Sequence, residues 1–388
     1  MTDDNLRPAT RLIHGGRRHE WRGKLVNVAV ERTSTVLFDD LAEMRGAYPP
    51  KDGSYSYGRN GTATHWALCE ALTKLEPGAA GTRLFPSGAA AVAMALISVL
   101  GPGDELLMVD SAYAPSRFFC DGELKRLGVT TRYYDPLITP EELTALIGPA
   151  TRALFLESPG SLTFEVQDVP GLAAVAKELG LITLLDNSWA TSLFFPAIEH
   201  GIDLSITACT KYIGGHSDVM LGSVTASPMA WEPLNRAVRQ WGTAVSPDDA
   251  WLALRGLRTL DVRLRRHEHN ALDVAKWLAG HPKVRQVLHP ALPSCPGHPF
   301  FKRDFAGSTG LFAIVIDGSP DDRDAFINRL KLFGIGWSWG GYESLASPVD
   351  LNGLRSVGRP PKGPTVRLHI GLEEPVDLIT DLDQALDA

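Results

Sequence analysis

The chain has no Gly-x-Gly-x-x-Gly turn and no Gly-x-x-x-x-Gly-Lys phosphate loop, which counts against nucleotide-dependent chemistry. It holds only four cysteines, Cys69, Cys120, Cys209 and Cys295, far apart and without a CxxC pair. Neither a disulfide framework nor a zinc knuckle suits that spacing, and buried free thiols are expected. The eleven histidines also lack ligand spacing. His267 and His269 stand two apart, which on a helix points them to different faces, so no metal is assigned. The longest apolar run, Ala89 to Leu100, is too short to cross a bilayer. The acidic start Met1-Thr2-Asp3-Asp4 lacks the basic segment of a secretion signal, so a cytoplasmic protein is expected. Positive charge is outnumbered, 38 Lys and Arg against 45 Asp and Glu for a net −7, so there is no basic field for nucleic acid. A small-molecule substrate is expected.

What the sequence does have is room and rhythm. Its 388 residues, 44% of them hydrophobic, can bury a large core with a smaller appendage. Residues 1–61 carry scattered Gly, Arg and aromatic residues with weak periodicity, which predicts an arm lying on another surface. From Thr62 strand-like and helix-like segments alternate. Strands are expected at Thr82 to Phe85, Glu105 to Val109, Ala153 to Glu157, Ile182 to Asp186 and Leu204 to Ala208. Helices are expected at Thr64 to Leu75, Ala89 to Leu100 and Val169 to Leu179. That rhythm predicts an α/β fold with a mostly parallel sheet over residues 62–256. Asp248 to Leu278 reads as one long or broken helix, on which Arg263, Arg265, Arg266 and His267 form a solvated face. Residues 257–388 form a smaller α/β domain, with strands at Leu311 to Ile316 and Thr365 to Ile370.

Two segments carry chemistry. Leu184-Leu185-Asp186 and Ile206-Thr207-Ala208-Cys209-Thr210-Lys211 each end an apolar run, one on a carboxylate and the other on an amine. Pyridoxal phosphate needs that pair, an amine for its aldehyde and a carboxylate to keep its ring nitrogen protonated. Pro86-Ser87-Gly88-Ala89 joins a strand to a helix, where glycine permits close approach and the unpaired N–H groups favour an anion such as a phosphate. Thr210 offers a hydroxyl to the same group. Tyr113 follows a strand on the side where α/β proteins build their sites, placed to stack on a ring. In Thr365-Val366-Arg367-Leu368-His369-Ile370 the alternation leaves Arg367 and His369 on one face, where a guanidinium can bind a carboxylate through two parallel bonds.

With these residues in place the chain resembles the Cys/Met-metabolism family of fold-type I pyridoxal phosphate enzymes, and within it the cystathionine beta-lyase branch. The likeness runs over nearly the whole length. It includes Ser56-Tyr57-Gly58-Arg59, Phe85-Pro86-Ser87-Gly88-Ala89-Ala90-Ala91, Glu157-Ser158-Pro159-Gly160-Ser161, Asp186-Asn187-Ser188-Trp189, Thr210-Lys211-Tyr212 and Ser338-Trp339-Gly340-Gly341-Tyr342-Glu343. The resemblance implies a seven-stranded, mostly parallel sheet of the transferase type. It implies that Lys211 holds the cofactor and moves the Cα proton, that Asp186 pairs with the ring nitrogen, and that Tyr113 stacks on the ring. Gly88, Ala89 and Thr210 would hold the phosphate, joined by Tyr57 and Arg59 of a neighbouring subunit. Ser338 and Arg367 would hold the substrate carboxylate, with Trp339 beside them.

A homotetramer built from two dimers is also implied, as is beta-elimination of L-cystathionine to homocysteine, pyruvate and ammonia in methionine biosynthesis. Trp339 marks the branch, since relatives working at Cγ usually carry leucine there. Asn60 and Arg239 depart from a relative that has a second arginine and a tyrosine at these places, which bears on the distal half of the substrate. Alternatives from the same family are a broader carbon–sulfur lyase or cysteine desulfhydrase, and alanine racemisation as a side activity. An alternative of another class is a noncatalytic binding protein that kept the fold.

Overall fold

Short β-rich runs ending in polar residues build the centre of the molecule. The computed structural model describes residues 6–358 and 360–387, so the acidic start Met1 to Asp4 lies outside the described residues. Seven strands form the first sheet: β1 (Gly81–Phe85), β2 (Glu105–Val109), β3 (Thr130–Tyr134), β4 (Thr151–Glu157), β5 (Ile182–Asp186), β6 (Leu204–Thr207) and β7 (Gly222–Ala226). Their order is β1-β7-β6-β5-β4-β2-β3. The pairs from β6 through β3 are parallel, and β7 alone runs against its two neighbours β1 and β6. Such a sheet must be covered on both faces, and β4 accordingly carries the continuous buried apolar run Ala153 to Leu156. The helix Gly88–Val99 packs on β6 and β7, and Val169–Glu178 packs on β4 and β5. Because β1 and β6 both run antiparallel to β7, the ends of β1, β2, β4, β5 and β6 open onto one edge, where a site in this architecture is expected.

A second sheet holds β8 (Val284–Leu288), β9 (Leu311–Ile316), β10 (Gly334–Ile335), β11 (Leu345–Val349) and β12 (Thr365–His369), ordered β10-β11-β12-β9-β8. Val366 and Leu368 of β12 pack with Phe312 and Ile314 of β9 and with Leu378 and Leu382 of the last helix, Pro375–Asp387, in a core of their own. The opposite face of β12 presents Arg367 and His369, as alternation requires.

The expected helix over Asp248 to Leu278 is two helices, Pro247–Leu257 and Leu260–Ala279. The expected solvated basic face is corrected by burial. Arg263 is 6% and His267 0% exposed, while Arg265 pairs with Asp261 and Arg266 with Glu374 nearer the surface. Arg263 donates to Gly256 O at 2.8 Å and to Thr259 Oγ1 at 3.1 Å, so a break in the helix supplies acceptors that a continuous helix would have consumed.

The N-terminal segment contains the short helices Pro8–His14, His19–Arg22 and Leu41–Gly46. It lies partly on its own chain. Leu12 and Val28 are buried, Trp251 Nε1 donates to Val28 O at 3.0 Å, and Thr64 Oγ1 donates to Ala29 O at 2.8 Å. Among the described residues no helix is long and apolar enough to cross a membrane.

Candidate active site

Ser87 has extended backbone and caps the helix Gly88–Val99, its Oγ accepting from Ala90 N at 3.1 Å. Ala91 N bonds back to Ser87 O, which leaves the Gly88 and Ala89 N–H groups before the first intrahelical bond. Gly88 is needed for contact: a Cβ there would lie 2.7 Å from Ala208 Cβ. The helix start, with its partial positive charge, is thereby held against the segment leading from β6 to Lys211.

Lys211 lies in the turn after β6. Its Nζ donates to Ser338 Oγ at 2.8 Å and stands 5.1 Å from the centroid of the Trp339 ring. Burial, with help from the Arg367 charge and against the pull of Asp186, lowers the amine to about 8. Thr210 lies just before Lys211 in the same turn. Its hydroxyl donates to Leu221 O at 3.2 Å and accepts from Leu221 N at 2.9 Å, tying the turn to the start of β7.

Asp186 closes β5 and is paired in register with Glu157 at the end of β4. Burial raises the Asp186 carboxyl above its usual range, while its bonds from Ser188 and the nearby Lys211 oppose that shift. Ser188 N donates to Asp186 Oδ1 at 3.0 Å. Glu157 is pushed up further, by burial and then by Asp186, although Tyr113 N donates to its Oε2 at 2.7 Å. Two partly buried carboxyls at adjacent strand ends therefore share a deficit of positive charge. A protonated pyridine nitrogen is the kind of group that makes up such a deficit, and the amine, the free helix N–H groups and the carboxyl pair together fit pyridoxal phosphate. Glu157 carried no assignment in the sequence, because a strand-ending glutamate there has no distinctive spacing. Tyr113, 45% exposed, lies within the electrostatic reach of Glu157, Asp186 and Arg367.

Arg367 Nη2 donates to Trp337 O at 2.9 Å and Ser338 O at 3.2 Å, so the guanidinium holds the loop that carries Ser338 and Trp339. Asp110, just beyond β2, is a further anchor not read from the sequence. Burial alone would raise its carboxyl, but bonds from Gly358 N, Val357 N and both Ser356 groups draw it down to about 2. It also pairs with buried Arg117 at 2.8 Å. The segment before β12 is thus pinned to the carboxyl edge of the first sheet.

Lys211, Asp186, Tyr113, Ser338, Trp339 and Arg367 come together, with Gly88 and Ala89 next to Ala208. Tyr57 and Arg59 do not join them within the chain. Tyr57 is 47% exposed, and Arg59 Nη1 donates to Arg239 O at 3.2 Å beside a cavity of about 80 Å³ that Arg83, Asn60 and Arg239 also line. Arg239 Nη2 donates in turn to Pro50 O at 2.9 Å.

Residues 9–387 match the family described as Cys/Met metabolism PLP-dependent enzyme. The chain belongs to this family. Pyridoxal phosphate is its cofactor, and the donor set above fits that group. "Cystathionine beta-lyase MetC" of Escherichia coli is 43% identical over 392 residues, covering 99% of this chain and 98% of the relative. The "L-alanine/L-glutamate racemase" of Wolbachia pipientis is 37% identical over 390 residues, covering 97% and 96%. The solved structure of metB from Corynebacterium glutamicum superposes with a TM-score of 0.91 at 29% identity, covering 100% of this chain and 99% of the other.

Proposed function

We propose that the protein cleaves L-cystathionine at its Cβ–S bond, yielding homocysteine, pyruvate and ammonia as a step towards methionine. The observation that carries this reading is the Trp339 ring, 5.1 Å from a Lys211 amine that Ser338 already holds. Elimination at Cβ needs proton removal from Cα alone. Elimination at Cγ needs a second removal from Cβ, so the amine would have to serve two carbons, and a bulky indole beside it restricts that travel. The 43% identity to the Escherichia coli relative supports the same substrate.

Bound pyridoxal phosphate supplies a sink for the electron pair left at Cα. Lys211 Nζ would hold its aldehyde, Asp186 its ring nitrogen and Tyr113 its ring face; the Gly88 and Ala89 N–H groups would hold its phosphate, joined by Thr210 with its hydroxyl turned from Leu221 O. Arg367 and Ser338 orient the substrate carboxylate. Lys211, once free, takes the Cα proton; a lysine brought down to about 8 is neutral in a useful fraction near neutral pH. The Cβ–S pair leaves with sulfur, and water converts the three-carbon remainder to pyruvate and ammonia.

The working form is a homotetramer of two dimers, its chain divided as an arm (1–61), a cofactor-binding part (62–256) and a smaller part (257–388). Tyr57 and Arg59 reach the phosphate group of the neighbouring subunit. The exposure of Tyr57, and an Arg59 guanidinium bonded to Arg239 O, support that arrangement. Four free cysteines suit the reducing cytoplasm.

Incubation of the holoenzyme with L-cystathionine is the test. Equal amounts of pyruvate and homocysteine are expected, whereas 2-oxobutyrate with cysteine would move cleavage to Cγ. A second reading, racemisation of alanine as a side activity, draws on the Wolbachia relative and needs the same Lys211 to return a proton to Cα. Exchange of the Cα hydrogen of L-alanine with deuterated water, with formation of D-alanine, measures it.

A further inference from the structure

Behind the Lys211 amine lies a pocket of rings. The Tyr212 ring is 5.4 Å from Trp339, 5.3 Å from His267 and 5.9 Å from His369, and the two histidines are 5.2 Å apart. Tyr212 and His267 are fully buried and His369 is 1% exposed. His369 Nε2 lies 3.1 Å from Gly340 N and 3.1 Å from Gly341 O. The two contacts make opposite demands. A bare Nε2 accepts from Gly340 N–H, whereas a protonated one donates to Gly341 O, and a neutral ring can do only one.

The partners of each ring decide between them. His267 Nδ1 is 2.8 Å from Ile370 O, which only accepts, so Nδ1 carries the proton and Nε2 is a bare acceptor. Among the described residues His267 Nε2 and His369 Nδ1 both lack a partner. Burial holds His267 down to about 4 and His369 well below its usual value, so neither ring is charged near neutral pH. The Gly340 N–H can only donate, so a proton on His369 Nδ1 leaves Nε2 bare to accept from it. The other tautomer would turn two N–H groups, of Nε2 and of Gly340, on each other.

Gly340 sits directly on the catalytic turn. Its φ is +89°, and a Cβ there would lie 2.9 Å from the Lys211 Cα and carbonyl carbon. Two residues before His369 on β12, Arg367 grips the same loop through Trp337 O and Ser338 O. Resting on the beta-lyase reading, we propose that His369 is a positioning residue. Through a bare Nε2 that accepts from Gly340 N–H, it works with Arg367 to fix the loop Trp337–Gly341, and so sets Ser338 and Trp339 over the Lys211 amine.

The test compares His369→Ala with His369→Gln in the holoenzyme. A glutamine can accept from Gly340 N–H through its oxygen and donate to Gly341 O through its nitrogen, so it should remain within about threefold of wild type in kcat/KM. The alanine variant should raise KM for L-cystathionine by about tenfold or more with a smaller loss in kcat, since the loop that seats the carboxylate is loosened. A readout independent of turnover is 15N NMR of histidine-labelled holoenzyme. The His369 signals, assigned by their loss in His369→Gln, should show a bare Nε2 and a protonated Nδ1. A protonated Nε2, or an alanine variant with unchanged KM, overturns the proposal. If the wild type leaves L-cystathionine intact but Nε2 is bare, the substrate reading fails and the positioning role stands.

Discussion

Lys211 Nζ donates to Ser338 Oγ at 2.8 Å, joining the turn after β6 of the first sheet to the loop after β10 of the second. The amine is thereby held where two charges reach it. Burial, then Arg367, lowers it to about 8, and Asp186 pulls the other way. A loop that holds the amine at rest and carries an indole 5.1 Å from it can govern where the amine goes during turnover.

Replacing Trp339 with leucine opens that space. Trp339→Leu should lower kcat/KM for pyruvate formation from L-cystathionine by roughly tenfold and raise the share of 2-oxobutyrate. Separation of the two 2-oxoacids by chromatography reads the ratio. An unchanged ratio would show that the indole does not limit the travel of the amine.

Asp186→Asn removes one of the two paired, partly buried carboxyls and leaves the deficit of positive charge smaller. The variant should retain cofactor less well on dialysis. Its kcat should fall by roughly two orders of magnitude with little change in KM, because the carboxylate acts on the ring nitrogen and not on the substrate. A change confined to KM would assign Asp186 to substrate binding instead.

Glu76 offers a prediction about stability. It is buried, accepts from Ser192 Oγ and Ser205 Oγ, each at 2.7 Å, and burial raises it to about 7 against the opposing effect of those bonds. In the unfolded chain it ionises near the ordinary glutamate value of 4.5. Between these values the folded state binds more protons than the unfolded one. Stability from this group is therefore fully present below the lower value and is lost as pH rises to about 7. The loss is on the order of a few kcal/mol. Urea unfolding between these limits should show a decline for wild type that is much reduced in Glu76→Gln. Parallel slopes for the two proteins would place the titration elsewhere.

Much of this arrangement could be read in the sequence, and the parts that could not share a physical cause. β2 and β9 have the expected bounds, because Leu106 to Val109 and Leu311 to Ile316 are apolar runs buried on both faces. Asp186, Lys211 and Arg367 stand at the ends or on the alternate face of such runs, so local pattern was enough to find them. β7 was missed: Gly222-Ser223-Val224-Thr225-Ala226 is built of small residues, and the reason is tertiary, since a Cβ at Gly222 would lie 2.3 Å from Ser87 O. Arg263 and His267 look solvated in sequence because their acceptors, Gly256 O and Ile370 O, come from a helix break and from a strand about a hundred residues away. Asp110 and Glu157 owe their environments to segments distant in the chain, which periodicity does not report.

The arm makes a prediction about assembly. Arg59→Ala and Lys211→Ala proteins should each be nearly inactive. After subunit exchange, a mixed dimer in which Arg59 serves the neighbouring site has one site with both defects and one with neither, so about half its sites should recover. Confirmed exchange without recovered pyruvate formation would return Arg59 to its own chain.

The most direct measurement of the central claim is the visible absorbance of bound cofactor, followed with pyruvate release from L-cystathionine, in wild type and Lys211→Ala. One residue is assigned both to hold the cofactor and to move the Cα proton. The variant should therefore lose the wild-type band and fall in turnover by several orders of magnitude even with cofactor added in excess. A Lys211→Ala protein that keeps the band and releases pyruvate at close to the wild-type rate would contradict the account.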